Sequence, residues 1–444
     1  MPAMMAKKRI RVAIVGCGTV GGATADLCIR DRALIARRSG VDVEIAAIVG
    51  GDFKHARELG LPEDLLTTDL DSVLNDGTID LVVETVGGID FPRSLITRAL
   101  DAGKHVVTAN KALLAHHGEE LFAHARRQGL SIGFEASCGG GIPLVRAITD
   151  GLIANEIEAI YGIVNGTSNY ILTEMIQKGE TYPEALAKAQ STGLAESDPS
   201  MDVQGTDSAH KIAILSALAF GIKVDFEIIP VIGIDTLDSL DVAYGQDLGY
   251  VVKLLAVAHR DEEGVSIWVR PAFISKEHPL AWVSGPFNAV SIYGHAVGHT
   301  LFYGRGAGGE PTSSAVASDI VSVGLGIIPA VFENTGYWPD RNDDVTQLAE
   351  GRSNSQFYMR IMAADKPGVL ATIGSILAKE RISIASLRQN EQALEEELIP
   401  LVITTHICPE AAINRAVREI EALPVTGETV VVMPIVDEHP ERVG

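Results

Sequence analysis

Residues 10–38, IRVAIVGCGTVGGATADLCIRDRALIARR, decide the fold of the first part of the chain. An apolar strand pattern leads into the glycine motif GCGTVG at 16–21, and a helical pattern follows at once. In such a turn the first glycine makes the tight bend, the second lets the backbone approach a pyrophosphate, and the third lets the helix pack on the strand. The stretch therefore predicts a dinucleotide site, although a glycine-rich turn of another α/β domain is the alternative. The predicted cofactor contacts in it are Gly16, Gly18, Thr19, Val20 and Gly21.

Strand and helix patterns alternate from residue 9 to residue 135, with further strands predicted at 44–50, 78–88, 104–111 and 131–137. Such alternation predicts a Rossmann-type parallel sheet with helices on both faces, here assigned to residues 1–140. Ligands on these sheets collect at the carboxyl ends of the strands. We therefore expect one crevice, formed by residues 18–20, 86–88 (with Gly87 as a cofactor contact), 110–111 and the turn 138–142.

Residues 141–335 predict an α+β domain for substrate binding, because strand patterns such as IWVRPAFI and NAVSIYG are mixed with helical ones. A second glycine-rich loop opens the segment 303–324, YGRGAGGEPTSSAVASDIVSVG. We expect the helix near 310–325 to return to the nucleotide-binding domain, with Gly306 as a further cofactor contact.

The segment 193–211, GLAESDPSMDVQGTDSAHK, concentrates charge. Asp207 and Lys211 are one helical turn apart, and the apolar run IAILSALAFGI follows directly. A charged pair at the start of a helix that enters a core is placed to meet a polar ligand in a cleft. A surface salt bridge and a divalent metal site are the alternatives, but the carboxylate spacing fits no standard metal loop. The other acidic residues of the segment are Glu196, Asp198 and Asp202.

The C-terminal part reads as a separate module. Residues 336–355 are polar and rich in helix-breaking residues, which is typical of a linker. Residues 356–436 show the order βαββαβ, which predicts a small ferredoxin-like domain.

Composition limits the classes of partner. The net charge of −22 argues against nucleic acid and anionic membranes as partners. The four cysteines show no CxxC pair, so neither a disulfide framework nor a zinc site is indicated. The first ten residues, MPAMMAKKRI, do not resemble a signal peptide, and no apolar run reaches the roughly 18 residues that span a bilayer. We therefore expect a cytoplasmic protein.

Seven motifs in the same order resemble homoserine dehydrogenases with a C-terminal ACT domain, over nearly the whole chain. They are GCGTVGG, LVVETVGG, VVTANKALL, FEASCGGGIPLV, NGTSNYIL, GLAESDPSMDVQGTDSAHK and GAGGEPTSSAV. The tail resembles ACT domains through DKPGVLATIGSILAKERISIASLRQ. The resemblance implies reversible, nicotinamide-dependent reduction of L-aspartate 4-semialdehyde to L-homoserine, on the route to threonine, methionine and isoleucine.

The same resemblance implies roles for the charged residues. Lys211 is the expected proton donor to the aldehyde oxygen, and Asp207 is expected to orient it. This agrees with the chemistry, because hydride addition builds negative charge on that oxygen and a positioned ammonium stabilises it. His210 points away from its neighbour on a helix and is expected to pack. The expected substrate-binding residues are Glu196, Asp202, Thr167 and Lys111, the last also at the nicotinamide.

Two further sites are implied by the resemblance. One is a structural monovalent-cation site, for sodium or potassium, that is built largely of backbone carbonyls at Glu135, Cys138, Gly140 and Ile142. The other is an amino-acid effector site, typically for L-threonine, at Asp365, Gly368 and Val369. An ACT module that only supports oligomerisation is the alternative. The resemblance also implies dimerisation through residues 141–335, and pairing of ACT modules could make tetramers, so a homodimer or a homotetramer is expected.

The end of the second strand bears on cofactor choice. Family members that use the phosphorylated cofactor often carry arginine there, whereas this chain has Gly50 or Gly51. Asp52 could bind a ribose 2′-hydroxyl and would repel a 2′-phosphate, while Lys54 and Arg57 could reach a phosphate. Family habit favours NADP, and NAD stays open.

Two other functions are compatible with parts of the sequence. Cys138 lies in a glycine-rich turn at a strand end, where the thiolate nucleophile of an aspartate-semialdehyde dehydrogenase could lie. That alternative leaves the segment 193–211 without a task. A non-catalytic sensor of cofactor and amino acid is the other, and the pair Asp207 and Lys211 argues against it.

Overall fold

The computed structural model describes residues 8–334, 345–389, 398–427 and 429–437, so the first part of the predicted linker 336–355, residues 336–344, lies outside the described residues. The strands are β1 (Lys8–Val15), β2 (Val41–Val49), β3 (Leu66–Thr67), β4 (Leu81–Glu84), β5 (His105–Thr108), β6 (Ile132–Gly133), β7 (Ile157–Ile163), β8 (Tyr250–Arg260), β9 (Val265–Ser275), β10 (Phe287–Gly294), β11 (Gly298–Arg305), β12 (Asn354–Ala363), β13 (Ile384–Gln389), β14 (Ile399–Thr405), β15 (Cys408–Pro409) and β16 (Val431–Val436).

The α-helices are α1 (Thr19–Arg30), α2 (Arg32–Ser39), α3 (Lys54–Glu58), α4 (Leu70–Asn75), α5 (Asp90–Asp101), α6 (Lys111–Arg127), α7 (Leu144–Arg146), α8 (Gly166–Lys178), α9 (Tyr182–Ser191), α10 (Ser200–Val203), α11 (Thr206–Phe220), α12 (Ser239–Asp247), α13 (Gly309–Leu325), α14 (Ile327–Asn334), α15 (Val369–Lys379) and α16 (Glu410–Glu421). Contacts divide the chain into two compact units. The first comprises 1–157, 210–226 and 294–346, and the second comprises 158–209, 227–293 and 347–444.

The first unit contains a six-stranded sheet in the order β3–β2–β1–β4–β5–β6. All of its paired strands run parallel, which confirms the predicted Rossmann-type fold. Strand β4 is buried along its whole length, because helices cover both faces of such a sheet. Helix α13 packs into the same core, where Val316 and Ile320 join Val12 and Ile14 of β1.

Strands β4, β5 and β6 end earlier than predicted, and β4 ends at Glu84 of the predicted 78–88. Strand β5 stops at Thr108 because Asn110 accepts a hydrogen bond from the backbone of Leu113 and so starts helix α6. Strand β6 covers only 132–133 of the predicted 131–137. There the carboxylate of Glu135 accepts hydrogen bonds from backbone N–H groups ten and eleven residues later, which turns the chain out of the sheet.

No single helix among the described residues is long and apolar enough to cross a membrane. Helices α13 and α14 reach that length and composition only together, and they are bent by 77° at their junction.

The second unit is built on a mixed sheet in which β10–β7–β8–β9–β16–β12–β14–β13 are neighbours in this order. The last four strands, with α15 and α16, form the βαββαβ module, as predicted from the sequence. Strand β16 pairs in parallel with β9, so that Ile435 lies beside Phe273 and Val436 beside Ile274. The rest of the second unit, residues 158–209 and 227–293, is called the middle domain. The C-terminal module and the middle domain therefore share one continuous sheet.

Buried polar contacts reinforce this junction between the C-terminal module and the middle domain. The carboxylate of Asp241 on α12 accepts two hydrogen bonds from the guanidinium of Arg360 (2.6 and 2.8 Å) and one from the hydroxyl of Tyr358 (2.8 Å). Asp241 is only 1% exposed. On the other face of the sheet, Glu410 pairs with Arg270. Burial acts to raise the pKa of Glu410, but the guanidinium of Arg270 holds this pKa below its ordinary value.

A buried lysine supports the same sheet. Lys253 on β8 is 2% exposed and donates to the carbonyl of Val283 (2.5 Å) and to Oδ1 of Asn169 (3.3 Å). Both acceptors are uncharged, so burial lowers the pKa of Lys253 from 10.5 to about 8. A neutral amine keeps both hydrogen bonds, because it still carries two donors.

This lysine predicts a pH dependence of stability. Between pH 8 and 10.5 the unfolded chain binds a proton at Lys253 that the folded protein has lost, so the free energy of unfolding should rise with pH there. The rise, taken as wild type minus Lys253→Met, should reach roughly 3 kcal/mol. Urea titrations of both proteins at several pH values measure it. Parallel stability curves for the two proteins would mean that Lys253 keeps an ordinary pKa.

Candidate functional site

The glycine motif in the first unit is shaped by close approaches of the backbone. Gly16 has φ of +101°, and a Cβ there would lie 2.8 Å from the carbonyl group of Thr85. A Cβ on Gly21 would lie only 1.9 Å from the carbonyl oxygen of Gly16. A Cβ on Gly18, in contrast, would meet nothing within 4 Å. Two glycines of the motif are thus required by the fold, whereas Gly18 faces open space.

That open space fits a phosphate group. Gly18 is the N-cap of α1, and no side chain caps this helix. The first backbone N–H groups of the helix, including those of Thr19 and Val20, therefore have no acceptor within the helix and can bind an anion. The start of helix α13 packs beside the start of α1, since a Cβ on Gly309 would lie 3.3 Å from the carbonyl oxygen of Thr19. The described residues here fit a dinucleotide.

A pair of substitutions separates these two roles. Gly21→Ala should destabilise the fold by about 1–3 kcal/mol, because its methyl group overlaps the backbone of Gly16. Gly18→Ala should leave the stability near that of the wild type but weaken NADPH binding at least about tenfold. Urea unfolding and a fluorescence titration with NADPH measure the two effects. Tight NADPH binding by Gly18→Ala would place the pyrophosphate elsewhere.

A buried hydrogen-bond network shapes the neighbouring strand ends. Glu84, at the end of β4, accepts from the hydroxyl of Thr108 (2.6 Å) and from the backbone N–H groups of Val86 (2.8 Å) and Gly87 (3.3 Å). These bonds hold the 86–88 turn in place beside the glycine motif. Sequence reasoning missed Glu84, although a carboxylate inside the apolar run LVVE is a visible signal.

The second glycine-rich loop contacts the 138–142 turn. The N–H of Gly141 donates to the carbonyl of Arg305 (3.1 Å), and a Cβ on Gly140 would lie 2.5 Å from the carbonyl oxygen of Gly306. Gly306 is therefore held against this turn within the first unit.

Lys111 and Lys211 both lie near the thiol of Cys138 in the first unit. Lys111 is the first residue of α6, and Lys211 on α11 is 6% exposed. The thiol of Cys138 lies 3.9 Å from the carbonyl oxygen of Lys211. Burial raises the pKa of Cys138 to about 12, which outweighs the opposite effect of both ammonium groups. A buried, protonated thiol is a poor nucleophile, so the structure argues against the thiolate alternative.

In the second unit one amide joins two of the predicted carboxylates. Asn165 donates from Nδ2 to Asp202 (2.7 Å) and to Asp207 (2.8 Å). Thr167 is the second residue of α8, and its hydroxyl donates to the carbonyl of Leu194 (3.0 Å). Glu196 is exposed. The motif NGTSNYIL does not reveal this role of Asn165 in the sequence, because the partners of its side chain lie 37 and 42 residues away.

The predicted cation site lies in a fully buried stretch, 135–140. The carboxylate of Glu135 accepts hydrogen bonds from the backbone N–H groups of Val145 and Arg146. Burial and the nearby Asp319 raise the pKa of Glu135 to about 7. Within the described residues, no hydrogen bond reaches the carbonyl oxygens of Cys138 or Gly140. Buried carbonyls without partners suit a monovalent cation held by the backbone, and Ile142 closes the same turn.

The three predicted effector residues line one cavity of about 310 Å³ in the C-terminal module. Asp365 accepts from the side chain of Gln389 (3.1 Å). Gly368 has φ of +96° and precedes α15, whose first residue is Val369.

The charged residues that follow β2 differ in whether their side chains already have a close partner. Asp52 is exposed and accepts from the backbone N–H of Lys54 (2.9 Å). Arg57 pairs with Glu63 (2.8 Å), whereas the ammonium of Lys54 lies 3.9 Å from Glu58 and is largely exposed. Lys54 is therefore the more available cation for a 2′-phosphate.

Comparison with known proteins places these features in a family. Residues 143–321 match the homoserine dehydrogenase family, 16–135 its NAD-binding domain and 357–425 the ACT domain. A homoserine dehydrogenase of Pseudomonas aeruginosa is 44% identical over 420 residues, which cover 94% of this chain and 96% of that protein. This chain belongs to the homoserine dehydrogenase family. It is thus an oxidoreductase acting on the CH–OH group of homoserine.

Solved structures of other homoserine dehydrogenases agree with this assignment. One from Thiobacillus denitrificans superposes with a TM-score of 0.91 at 41% identity, covering 97% of this chain and 99% of that one. A hyperthermophilic archaeal homoserine dehydrogenase in complex with NADPH is 27% identical, with a TM-score of 0.61 over 71% of this chain and 98% of that one. The recognition of the family and of its ACT tail from the sequence is confirmed.

Proposed function

We propose that this protein catalyses the reversible NAD(P)H-dependent reduction of L-aspartate 4-semialdehyde to L-homoserine, on the route to threonine, methionine and isoleucine. The observation that carries the proposal is helix α11, on which Asp207 and Lys211 stand one turn apart. Both are buried, at 5% and 6% exposure. Charged side chains are rarely buried without a task or a partner, and both lie inside the segment that matches the family.

Substrate binding follows from charge. The α-ammonium group of the substrate needs carboxylates, and Asp202, Asp207 and Glu196 supply them. The α-carboxylate needs donors, for which Lys111 and the backbone N–H of Thr167 serve, since the hydroxyl of Thr167 already donates to Leu194. The exposure of Glu196 suits a group that meets its ligand from solvent.

The chemical step requires a proton at the carbonyl oxygen. The reduced nicotinamide, when bound, supplies a hydride to the aldehyde carbon. Lys211 stabilises the negative charge that develops on oxygen and delivers the proton, and Asp207 orients its ammonium group. In the reverse direction the neutral amine of Lys211 accepts the hydroxyl proton of L-homoserine.

The cofactor is proposed to be NADP, with NAD as the alternative. The relative solved with NADPH and the available ammonium of Lys54 support NADP. Asp52 at the same strand end supports NAD, because its charge repels a 2′-phosphate.

The turn 135–142 is proposed to hold a sodium or potassium ion through backbone carbonyls, including those of Glu135 and Ile142. The unpartnered carbonyls of Cys138 and Gly140 support this site. Its role would be structural, because it fixes the turn that carries Gly141 against Arg305.

The ACT module is proposed to bind an amino acid, L-threonine, in the cavity at Asp365, Gly368 and Val369. The size of the cavity, about 310 Å³, suits a small ligand. The protein is proposed to act as a homodimer through its middle domain, or as a homotetramer if ACT modules also pair.

One set of rates tests these proposals. The purified protein is mixed with L-homoserine and either NADP⁺ or NAD⁺, with and without L-threonine. Turnover supports the activity, the larger kcat/KM identifies the cofactor, and a threonine effect supports the role of the tail. Absence of turnover with both cofactors would favour the non-catalytic sensor.

A further inference from the structure

Asn165 makes three hydrogen bonds with its side chain, which use both of its N–H groups and its amide oxygen. Its Oδ1 accepts from the backbone N–H of Ser168 (2.8 Å) and so caps helix α8. Its two N–H groups donate to Asp202 (2.7 Å) and Asp207 (2.8 Å). The partners leave one orientation of the amide, because the N–H of Ser168 needs an acceptor and the carboxylates need donors.

The backbone around Asn165 is held firmly. Asn288 donates from Nδ2 to the carbonyl of Val164 (2.8 Å), directly before Asn165. A Cβ on Gly166, directly after it, would lie 2.9 Å from the carbonyl oxygen of Pro286. The segment around 286–288 thus backs the turn on both sides, and the amide cannot follow a carboxylate that moves.

The contact has an electrostatic consequence for the two aspartates. Their bonded oxygens lie at most about 5.5 Å apart, the limit set by the two hydrogen-bond lengths. Two ionised carboxylates at this distance repel each other, and partial burial strengthens the repulsion. A neutral group that donates to both carboxylates reduces this repulsion.

We propose that Asn165 is a positioning residue, which holds Asp202 and Asp207 as a pair aimed at the α-ammonium group of the substrate. This rests on the proposed function, in which the two carboxylates bind that group. Asn165 itself acts only through them, because both of its N–H donors are already used.

The test compares Asn165→Ser and Asn165→Asp with the wild-type holoenzyme. Serine and aspartate both keep an oxygen that can cap α8, but neither keeps the two amide donors. Asn165→Ser should raise KM for L-homoserine at least about tenfold and leave KM for NADP⁺ within about twofold. Asn165→Asp adds a third negative charge beside the pair and should raise KM for L-homoserine more. Far-ultraviolet circular dichroism and thermal unfolding monitor the cap.

The outcomes separate the positioning role from the proposed function. An active wild type whose Asn165→Ser variant keeps its KM for L-homoserine would overturn the positioning role alone. A parallel loss of stability and of both substrates' affinities would also overturn it, since a merely structural cap acts in that way. A wild type without homoserine-dependent turnover would overturn the proposed function, and this inference with it.

Discussion

Replacing Lys211 with alanine is expected to lower kcat for L-homoserine oxidation by about 10²–10⁴-fold, the contribution of a positioned general acid or base. Cofactor affinity should stay close to that of the wild type, because the glycine motif and its N–H groups are untouched. Steady-state kinetics with a parallel NADPH titration measure both quantities.

The matched control for Lys211→Ala is Lys223→Ala. The side chain of Lys223 is 77% exposed and pairs with Glu119 at the surface, so its loss should leave kcat unchanged. If Lys211→Ala retained its turnover, the proton would have to come from another group, and the assignment of Lys211 would be wrong.

Replacing Arg360 with methionine is expected to lower the free energy of unfolding by about 3–5 kcal/mol. The reason is that Asp241, at 1% exposure, would lose the guanidinium that donates to both of its oxygens. The loss should appear first as separation of the ACT module from the middle domain, because Asp241 lies on α12 and Arg360 on β12. Urea unfolding, with limited proteolysis as a second probe, measures it.

Two variants control the Arg360 prediction. Arg352→Met breaks an exposed pair with Glu263 and should cost less than about 1 kcal/mol. The double variant Asp241→Asn with Arg360→Met removes the unpaired charge and should recover much of the lost stability. Equal losses for Arg360→Met and Arg352→Met would mean that the buried pair does not hold the junction.

The first sheet could be predicted from the sequence because its signals are local. The motif GCGTVG marks one strand end, and alternation of strand and helix leaves few possible strand orders. Helix starts were harder to place, since Asn110 ends β5 by capping α6 inside an apolar run. The early end of β6 depends on hydrogen bonds that Glu135 accepts from backbone N–H groups ten and eleven residues later. No local sequence pattern indicates such bonds.

The site shows the same division between local and distant information. Asp207 and Lys211 could be selected because their spacing places both on one helix. The bridge from Asn165 to Asp202 and Asp207 could not be seen, because it joins α8 to a segment about 40 residues later. The parallel pairing of β16 with β9 joins the ACT sheet to the middle domain. It could not be predicted either, because the two strands are far apart in sequence.

The most direct test of the central claim is product analysis. Wild-type protein is incubated with L-aspartate 4-semialdehyde and NADPH, and the products are identified by mass spectrometry beside a Lys211→Ala sample. We expect one L-homoserine for each NADPH oxidised by the wild type and almost none with Lys211→Ala. Oxidation of NADPH by the wild type without L-homoserine, or equal product from both proteins, would contradict the account.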